Sequence, residues 1–342
     1  MEDLKEFIFE NKPTESCHAS TVLPLDDGRV VAAWFAGTKE SADDVDILTS
    51  VRSESGWSEP VRVSADSNIP HWNPVLFRRA DGKIMLFFKV GKKIPMWKTY
   101  FSLSDNGVDW SEPAELVPED IGGGRGPVKN KPIRLRSGRV IAPASDERNT
   151  LWVCFVDISD DDCRTWKRMR TVPTKSLRGF YVPMIQPTLW QSEDGNVHML
   201  TRTSRGRIYR SDSSDEGETW CRAYRTKMPN NNSGIDLVAA IVNSEHDVPF
   251  VCHIDIPAAG TILPASGYHL CMRTSVYIYN GRILFIRIHI SRFNKAVIDI
   301  GYTVCCFDCT DNRHFEPKEW IGSSKQINAF TCLSINDINF SR

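Results

Sequence analysis

No stretch of this 342-residue sequence approaches the ~20 consecutive apolar residues that a membrane-spanning helix needs, so no helical span is expected. Nor is there an excess of charge. Lys and Arg number 42 against 43 Asp and Glu, a formal net charge of −1. That balance removes the global electrostatic case for nucleic acid or an anionic membrane as partner. The opening Met1-Glu2-Asp3-Leu4-Lys5-Glu6 is too acidic and polar for a secretory leader, and the expected location is cytoplasmic. Ten cysteines are present but form no regular framework, so reduced thiols are expected rather than disulfides. The sequons at Asn231 and Asn339 then carry little weight. Cys306-x2-Cys309 with His314 lacks the second pair that a zinc site needs; no metal and no cofactor is expected. Gly122-Gly123-Gly124-Arg125-Gly126 lacks the Gly-Lys-Ser/Thr ending of a phosphate loop and reads as a flexible connector.

What is present is repetition. Trp57, Trp110, Trp166 and Trp220 recur at steps of 53, 56 and 54 residues. Three of them close an acidic turn. The fullest copy is Ser213-Ser214-Asp215-Glu216-Gly217-Glu218-Thr219-Trp220. The copy at Ser159–Trp166 lacks its glycine, and the one at Leu103–Trp110 reads as having lost its first Ser and its Thr. A second marker keeps the same phase. Gly28, Gly82, Gly138 and Gly195 sit in Asp-Gly or Ser-Gly turns, each followed by an apolar run such as Ile84-Met85-Leu86-Phe87-Phe88. Asp-Gly between apolar runs signals a hairpin, because glycine accepts φ > 0 at little cost. One unit therefore reads strand, tight turn, strand, strand, acidic turn, strand.

Four-stranded sheets repeated at this period make an all-β β-propeller, and about six antiparallel blades fit the length. A β-sandwich with chance spacing is the alternative, and two markers in phase favour the propeller. In the turn, Asp accepts backbone N–H bonds and Trp packs between strands, so the turn staples a blade rather than performing chemistry. The pattern breaks after about residue 242. Residues 1–242 read as blades one to four and the start of a fifth. Residues 243–342 read as an irregular, degenerate or altered completion, in which Asn280-Gly281 still looks like a blade hairpin.

Candidate site residues cluster where the inner strands open, since ligands bind at one mouth of a propeller's channel. They are His18, then His71 and Asn73, then Lys129, Asn130 and Lys131, then Gln186. Asn73, Lys131 and Gln186 each precede a proline at corresponding points of three blades. Two further polar stretches face the same mouth: Lys39, Glu40 and Asp44 after the second strand of blade one, and Asn232, Ser233 and Asp236 at the entry to a fifth blade. Glu40 and Asp44 suit proton transfer if burial raises a carboxyl pKa. Arg202, closing a strand, suits the two-bond grip of a guanidinium on an anion.

These stretches together (His18-Ala19-Ser20-Thr21, Trp34 to Glu40, Asp44-Val45-Asp46-Ile47, His71 to Leu76, Lys129 to Pro132, Gln186-Pro187-Thr188 and Asn232 to Asp236) resemble the sialidase (neuraminidase) superfamily, in its branch with degenerate Asp-box (BNR) repeats. The resemblance covers roughly residues 15–240 and implies a six-bladed propeller. It also implies a carbohydrate ligand and exo-glycosidase (exo-α-sialidase-like) chemistry: three arginines on the substrate carboxylate, an Asp acid/base and a Tyr nucleophile activated by Glu. The match is partial. His18-Ala19-Ser20 stands where the family's first arginine belongs, and the Gly37-Thr38 region stands where another does. Asp44 falls on the acid/base, Arg202 on the later arginine, and Gln186-Pro187 on the Glu-Pro motif, where Gln cannot act as base. Tyr268, Tyr277 and Tyr279 are the nearby tyrosines.

The expectation is a sialidase-like glycoside hydrolase acting on a terminal, possibly acidic sugar. In it Asp44 is the general acid, Glu40 assists, and His18, Asn73, Lys131, Gln186, Arg202 and Asp236 hold the sugar. A glycan-binding propeller without catalysis, or an inactive scaffold, is the alternative.

Overall fold

The computed structural model describes residues 4–9, 11–65, 68–120, 124–148, 151–174, 179–241, 247–253, 273–279, 282–290 and 296–302, with side chains between residues 7 and 237. Apart from one 3-10 turn at Ile94–Met96, every regular element in these residues is a strand.

Four complete blades follow one another along the chain. Blade one comprises Ser16–Pro24, Val30–Gly37 and Asp46–Ser53, edged by Gly56–Trp57 and Val61–Val63. Blade two is His71–Arg78, Ile84–Val90, Lys98–Ser104 and Ala114–Glu115. Blade three is Ile133–Arg134, Val140–Arg148, Leu151–Ser159 and Lys167–Arg168, and blade four is Met184–Gln191, Val197–Thr203, Arg207–Ser213 and Tyr224–Pro229. The expected count of six such blades is thus corrected to four. Beyond them, among the described residues, Ile235–Ile241 pairs with Asp247–His253. A last sheet combines Arg273–Tyr279, Arg282–Ile290 and Ala296–Tyr302 with the N-terminal Leu4–Phe7, which pairs Ala296–Tyr302 from the other side. The count fails because the spacing of tryptophans and glycines says nothing of a sheet that borrows a strand from the other end of the chain. Cys271, Cys305, Cys306, Cys309, His314, Cys332 and Tyr268 lie outside the described residues, and Tyr277 and Tyr279 fall in a strand described by its backbone.

The acidic turns explain how the blades stack. Asp215 Oδ1 accepts from the Thr219 N–H at 2.9 Å, and Ser213 Oγ from the Gly217 N–H at 2.9 Å. Asp161 and Ser159 repeat this with Thr165 and Cys163. In blade two Ser104 Oγ accepts from the Gly107 N–H at 2.8 Å, and Asn106 Oδ1 from the Val108 N–H at 2.8 Å. The first Ser is therefore retained as Ser104. One residue has been deleted and Asn106 replaces the Asp, which is why the eight-residue alignment misplaced it. Each turn plugs into the blade before it. Cys163 is buried among Val75, Phe77, Met85 and Phe87 of blade two. A Cβ on Gly217 would lie 2.9 Å from Ile141 Cδ1 of blade three, and one on Gly107 would lie 2.7 Å from Val31 Cγ2 of blade one.

Inner strands carry the second regularity. The ladders of blades one, two and four skip residues between His18 and Thr21, Trp72 and Val75, and Ile185 and Thr188. At these bulges Ala19, Asn73 and Gln186 take φ of 59°, 44° and 51°, a conformation that costs non-glycine residues energy and is held by its surroundings. Pro74 and Pro187 fall where no ladder bond is asked of them. Lys131 precedes a proline but is not among the positive-φ residues, so the equivalence of Asn73, Lys131 and Gln186 holds in backbone shape for two of the three.

The Gly-rich connector is anchored where the sequence predicts flexibility. Arg125 Nε lies 2.9 Å from Asp157 Oδ1 and Nη1 2.6 Å from Asp120, and the Gly126 N–H donates to Asp157 at 2.6 Å. Lys89, fully buried beneath, donates to the Arg125 carbonyl and to Thr99; burial pushes its pKa down to about 7 against the opposing pull of Asp157.

Gly107→Ala should lower stability by about 2–4 kcal/mol, combining left-handed strain with overpacking against two stiff valines. Gly82→Ala has open space around the new methyl and should show only the strain, about 1–2 kcal/mol. Denaturant unfolding of the two variants measures the difference. Equal losses would mean that the turn is not seated against Val31 and Val51.

Candidate functional site at the channel mouth

The bulged starts of the inner strands face the ends of the second strands: His18 pairs with Phe35, His71 with Val90 and Ile185 with Arg202. This end of each blade is the mouth. Here the chain brings Gln186, Arg202 and Asn232 together. Arg202 Nη1 donates to Gln186 Oε1 and Nε to Asn232 Oδ1, both at 3.0 Å. Gln186 is fixed through three groups. Its side-chain oxygen accepts from Arg202, its N–H donates to Ser145 Oγ at 3.3 Å, and its carbonyl accepts from Asn130 Nδ2 at 3.1 Å. Asn232 also has positive φ, 68°.

Lys131 Nζ reaches both carboxylate oxygens of Asp236 at 2.9 Å. Lys129, buried, donates to Asn130 Oδ1 at 2.9 Å and to the Ile235 carbonyl at 3.0 Å. Ser233 is buried, and its Oγ donates to Asn231 Oδ1 at 2.5 Å. Several of these residues stitch neighbouring blades. Asn73 Nδ2 donates to the Val128 carbonyl at 3.1 Å, and Asn130 Nδ2 also to the Pro187 carbonyl at 2.9 Å.

The blade-one residues form a second group. Asp44 is exposed, and Thr38 donates to it through both its N–H, at 3.0 Å, and its Oγ1, at 2.5 Å. Those bonds hold its carboxyl below the usual range, against slight desolvation. The expectation that burial raises this carboxyl is thereby reversed, because the loop projects into solvent and caps its own turn. Lys39 and Glu40 are exposed on the same loop, and His18 is half-buried, edge-on to Phe35. His71 is wholly buried. Its Nε2 accepts from the Ala65 N–H at 2.9 Å and its Nδ1 lies 3.1 Å from the Val45 carbonyl, an arrangement that turns the ring inward, away from a ligand.

Glu147 escaped the sequence reading. It ends the second strand of blade three, two residues after Ser145 and so on the same face. Burial raises its carboxyl pKa, and Arg202 pulls the other way. The signal was available: Gly37-Thr38 and Arg202 had been singled out at the corresponding strand ends, but the third strand end was passed over.

A Ser–His–Asp line also occurs in blade four. Ser192 Oγ lies 2.7 Å from His198 Nε2, and His198 Nδ1 lies 2.6 Å from Asp212 Oδ1. Its electrostatics oppose nucleophilic use, since Asp194 Oδ1 sits 2.5 Å from that hydroxyl. Burial of Asp212 is outweighed by bonds from His198, Arg210 and Tyr224, which hold it at about 2; the line is a staple. Among the described residues no group of His, Cys, Asp and Glu is arranged to hold a metal.

Residues 28–244 match the family described as BNR repeat-like domain. No curated protein matches the sequence. Among solved structures, a Dyadobacter fermentans protein of unknown function superposes with a TM-score of 0.65 at 15% identity, covering 87% of this chain and 98% of its own. The Hadza microbial sialidase Hz136 gives 0.67 at 12%, covering 84% and 66%. A Trypanosoma rangeli sialidase in complex with sialic acid gives 0.62 at 14%, covering 84% and 54%. The chain thus spans about half the length of the trypanosomal enzyme. At these identities the likeness is one of fold.

Thr38→Val should move the Asp44 carboxyl upward toward its ordinary value by removing the hydroxyl bond. Carboxyl-carbon NMR titration of wild type and variant reads this directly, and an unmoved Asp44 would mean that Thr38 does not hold it.

Proposed function

The chain belongs to the BNR repeat-like family, and from that premise we propose that it is a sialidase-like propeller that recognises the terminal sugar of a glycan at the channel mouth. Beyond the four blades, Ile235–Ile241 lies beside Met184–Gln191, and Arg273–Tyr279 beside both Ile235–Ile241 and Ser16–Pro24. The observation that carries the functional proposal is the Gln186–Arg202–Asn232 cluster. A guanidinium is held there by two neutral amide oxygens, and both amide residues, Gln186 and Asn232, take positive φ. Strain of this kind collects at ligand-binding positions, and amides with a guanidinium offer the donors and acceptors that sugar hydroxyls use. His18, Lys39, His71, Asn73, Lys129, Asn130, Lys131, Ser233 and Asp236 belong to this reading as the surrounding shell, several of them through the blade contacts that shape it.

Hydrolysis is the second reading: an exo-glycosidase in which Asp44 is the general acid and Glu40 assists. The position of Asp44, on the loop between the second and third strands of blade one, favours it. In this reading the sugar must displace solvent from Asp44 and raise its pKa on binding, since an ionised carboxyl cannot donate a proton.

Fluorophore release from aryl glycosides, sialosides and uronides included, tests hydrolysis, with wild type compared against Asp44→Asn. Turnover falling by at least ~10²-fold in the variant is the expectation if Asp44 is the acid. No turnover, with sugar binding retained in calorimetry, leaves recognition as the activity. Neither turnover nor binding by a folded protein overturns the proposal.

A further inference from the structure

Apart from Lys39, exposed on its loop, the basic residues of the mouth from Arg125 to Arg202 are already engaged within the chain. Lys131 is gripped by both oxygens of Asp236, each side chain largely buried. Arg125, beneath, is closed by Asp157 and Asp120. Lys129 spends bonds on Asn130 Oδ1 and the Ile235 carbonyl. Arg202 gives Nε and Nη1 to the amides of Asn232 and Gln186, so it has fewer N–H groups left for a two-bond grip on a carboxylate. Glu147, on the strand face that Ser145 ties to the Gln186 bulge, attracts it electrostatically. Meanwhile Ala19 and Thr38 occupy strand-end positions where no cation stands.

We propose that the mouth takes an uncharged sugar, and that Asp236 and Glu147 occupy the places where a substrate carboxylate would otherwise be received. The inference rests on the glycan reading and narrows its substrate class away from the acidic sugar that the sequence resemblance implies. A uronate or sialate would bring a third negative charge against these two carboxylates and would have to break the Lys131–Asp236 pair to gain the Lys131 ammonium. A neutral hexose brings hydroxyls, each both donor and acceptor. The carboxylates accept from them, and the Gln186 and Asn232 amides take either role. Neutral-sugar recognition therefore uses every group present without unpairing one, whereas acidic-sugar recognition leaves buried partners unmatched.

The test is calorimetric and saturation-transfer binding of two matched pairs: methyl galactoside with methyl galacturonoside, and methyl glucoside with methyl glucuronoside. Wild type should favour the neutral member of the pair it binds by roughly tenfold or more, the scale of a like-charge penalty of about 1.4 kcal/mol. Asp236→Asn, which removes the carboxylate that grips Lys131, and Glu147→Gln, which removes a negative charge that attracts Arg202, should each shift the ratio toward the acidic member by a similar factor. If thermal unfolding shows Asp236→Asn to be poorly folded, Glu147→Gln alone carries the comparison. Tighter binding of the acidic member by wild type, or a ratio unchanged in both variants, overturns this inference and leaves glycan recognition standing. Binding of no sugar by folded wild type overturns both.

Discussion

Everything at the mouth depends on how each blade holds the next. A blade exposes two faces and has no core of its own, so it must be fastened to its neighbours. Here the fastening is done twice. On one side the acidic turn of a blade is driven into the apolar side chains of the blade before it. At the mouth, amide side chains on inner strands reach one repeat ahead to main-chain carbonyls, Asn73 to Val128 and Asn130 to Gln186 and Pro187. The second set constrains the site, because these amides have backbone to satisfy. A residue in that position can be polar for reasons of architecture, and its polarity alone does not mark it as a ligand contact.

That double use explains what was legible in the sequence and what was not. The period of the tryptophans and of the hairpin glycines was readable because both are fixed by local geometry, a turn that needs φ > 0 and a ring that needs a gap. Asn73 and Gln186 were readable as equivalents because each precedes a proline at the start of an inner strand, a pattern that Lys131 shares without the positive φ. The roles of the site residues were less readable. His71 and Asn130 look like ligand donors in the chain, yet their partners lie in loops and in the next blade, where local pattern gives no hint. Asp44 looked like a candidate for a raised pKa, but the hydroxyl six residues earlier, Thr38, decides the matter the other way. Glu147 went unseen because its importance comes from an arginine in another blade. The short strand Leu4–Phe7 carries no repeat marker, so nothing in its own sequence places it beside residues near 300.

The family fold sets the frame in which the site is built without fixing its chemistry. In this chain Arg202 and Lys131 are engaged from within. A guanidinium seated on amides and an ammonium seated on a carboxylate are less available to solvent anions than bare cations would be, and they stiffen the pocket they line.

The pairing of Leu4–Phe7 with Ala296–Tyr302 has a consequence for biosynthesis. Leu4–Phe7 leaves the ribosome almost three hundred residues ahead of its partner. Until that partner emerges, the growing chain exists as an open arc whose leading edge is unpaired, and such edges attract other strands. The charged residues in that first strand, Lys5 and Glu6, are the kind that keep an exposed edge from recruiting a stranger while it waits.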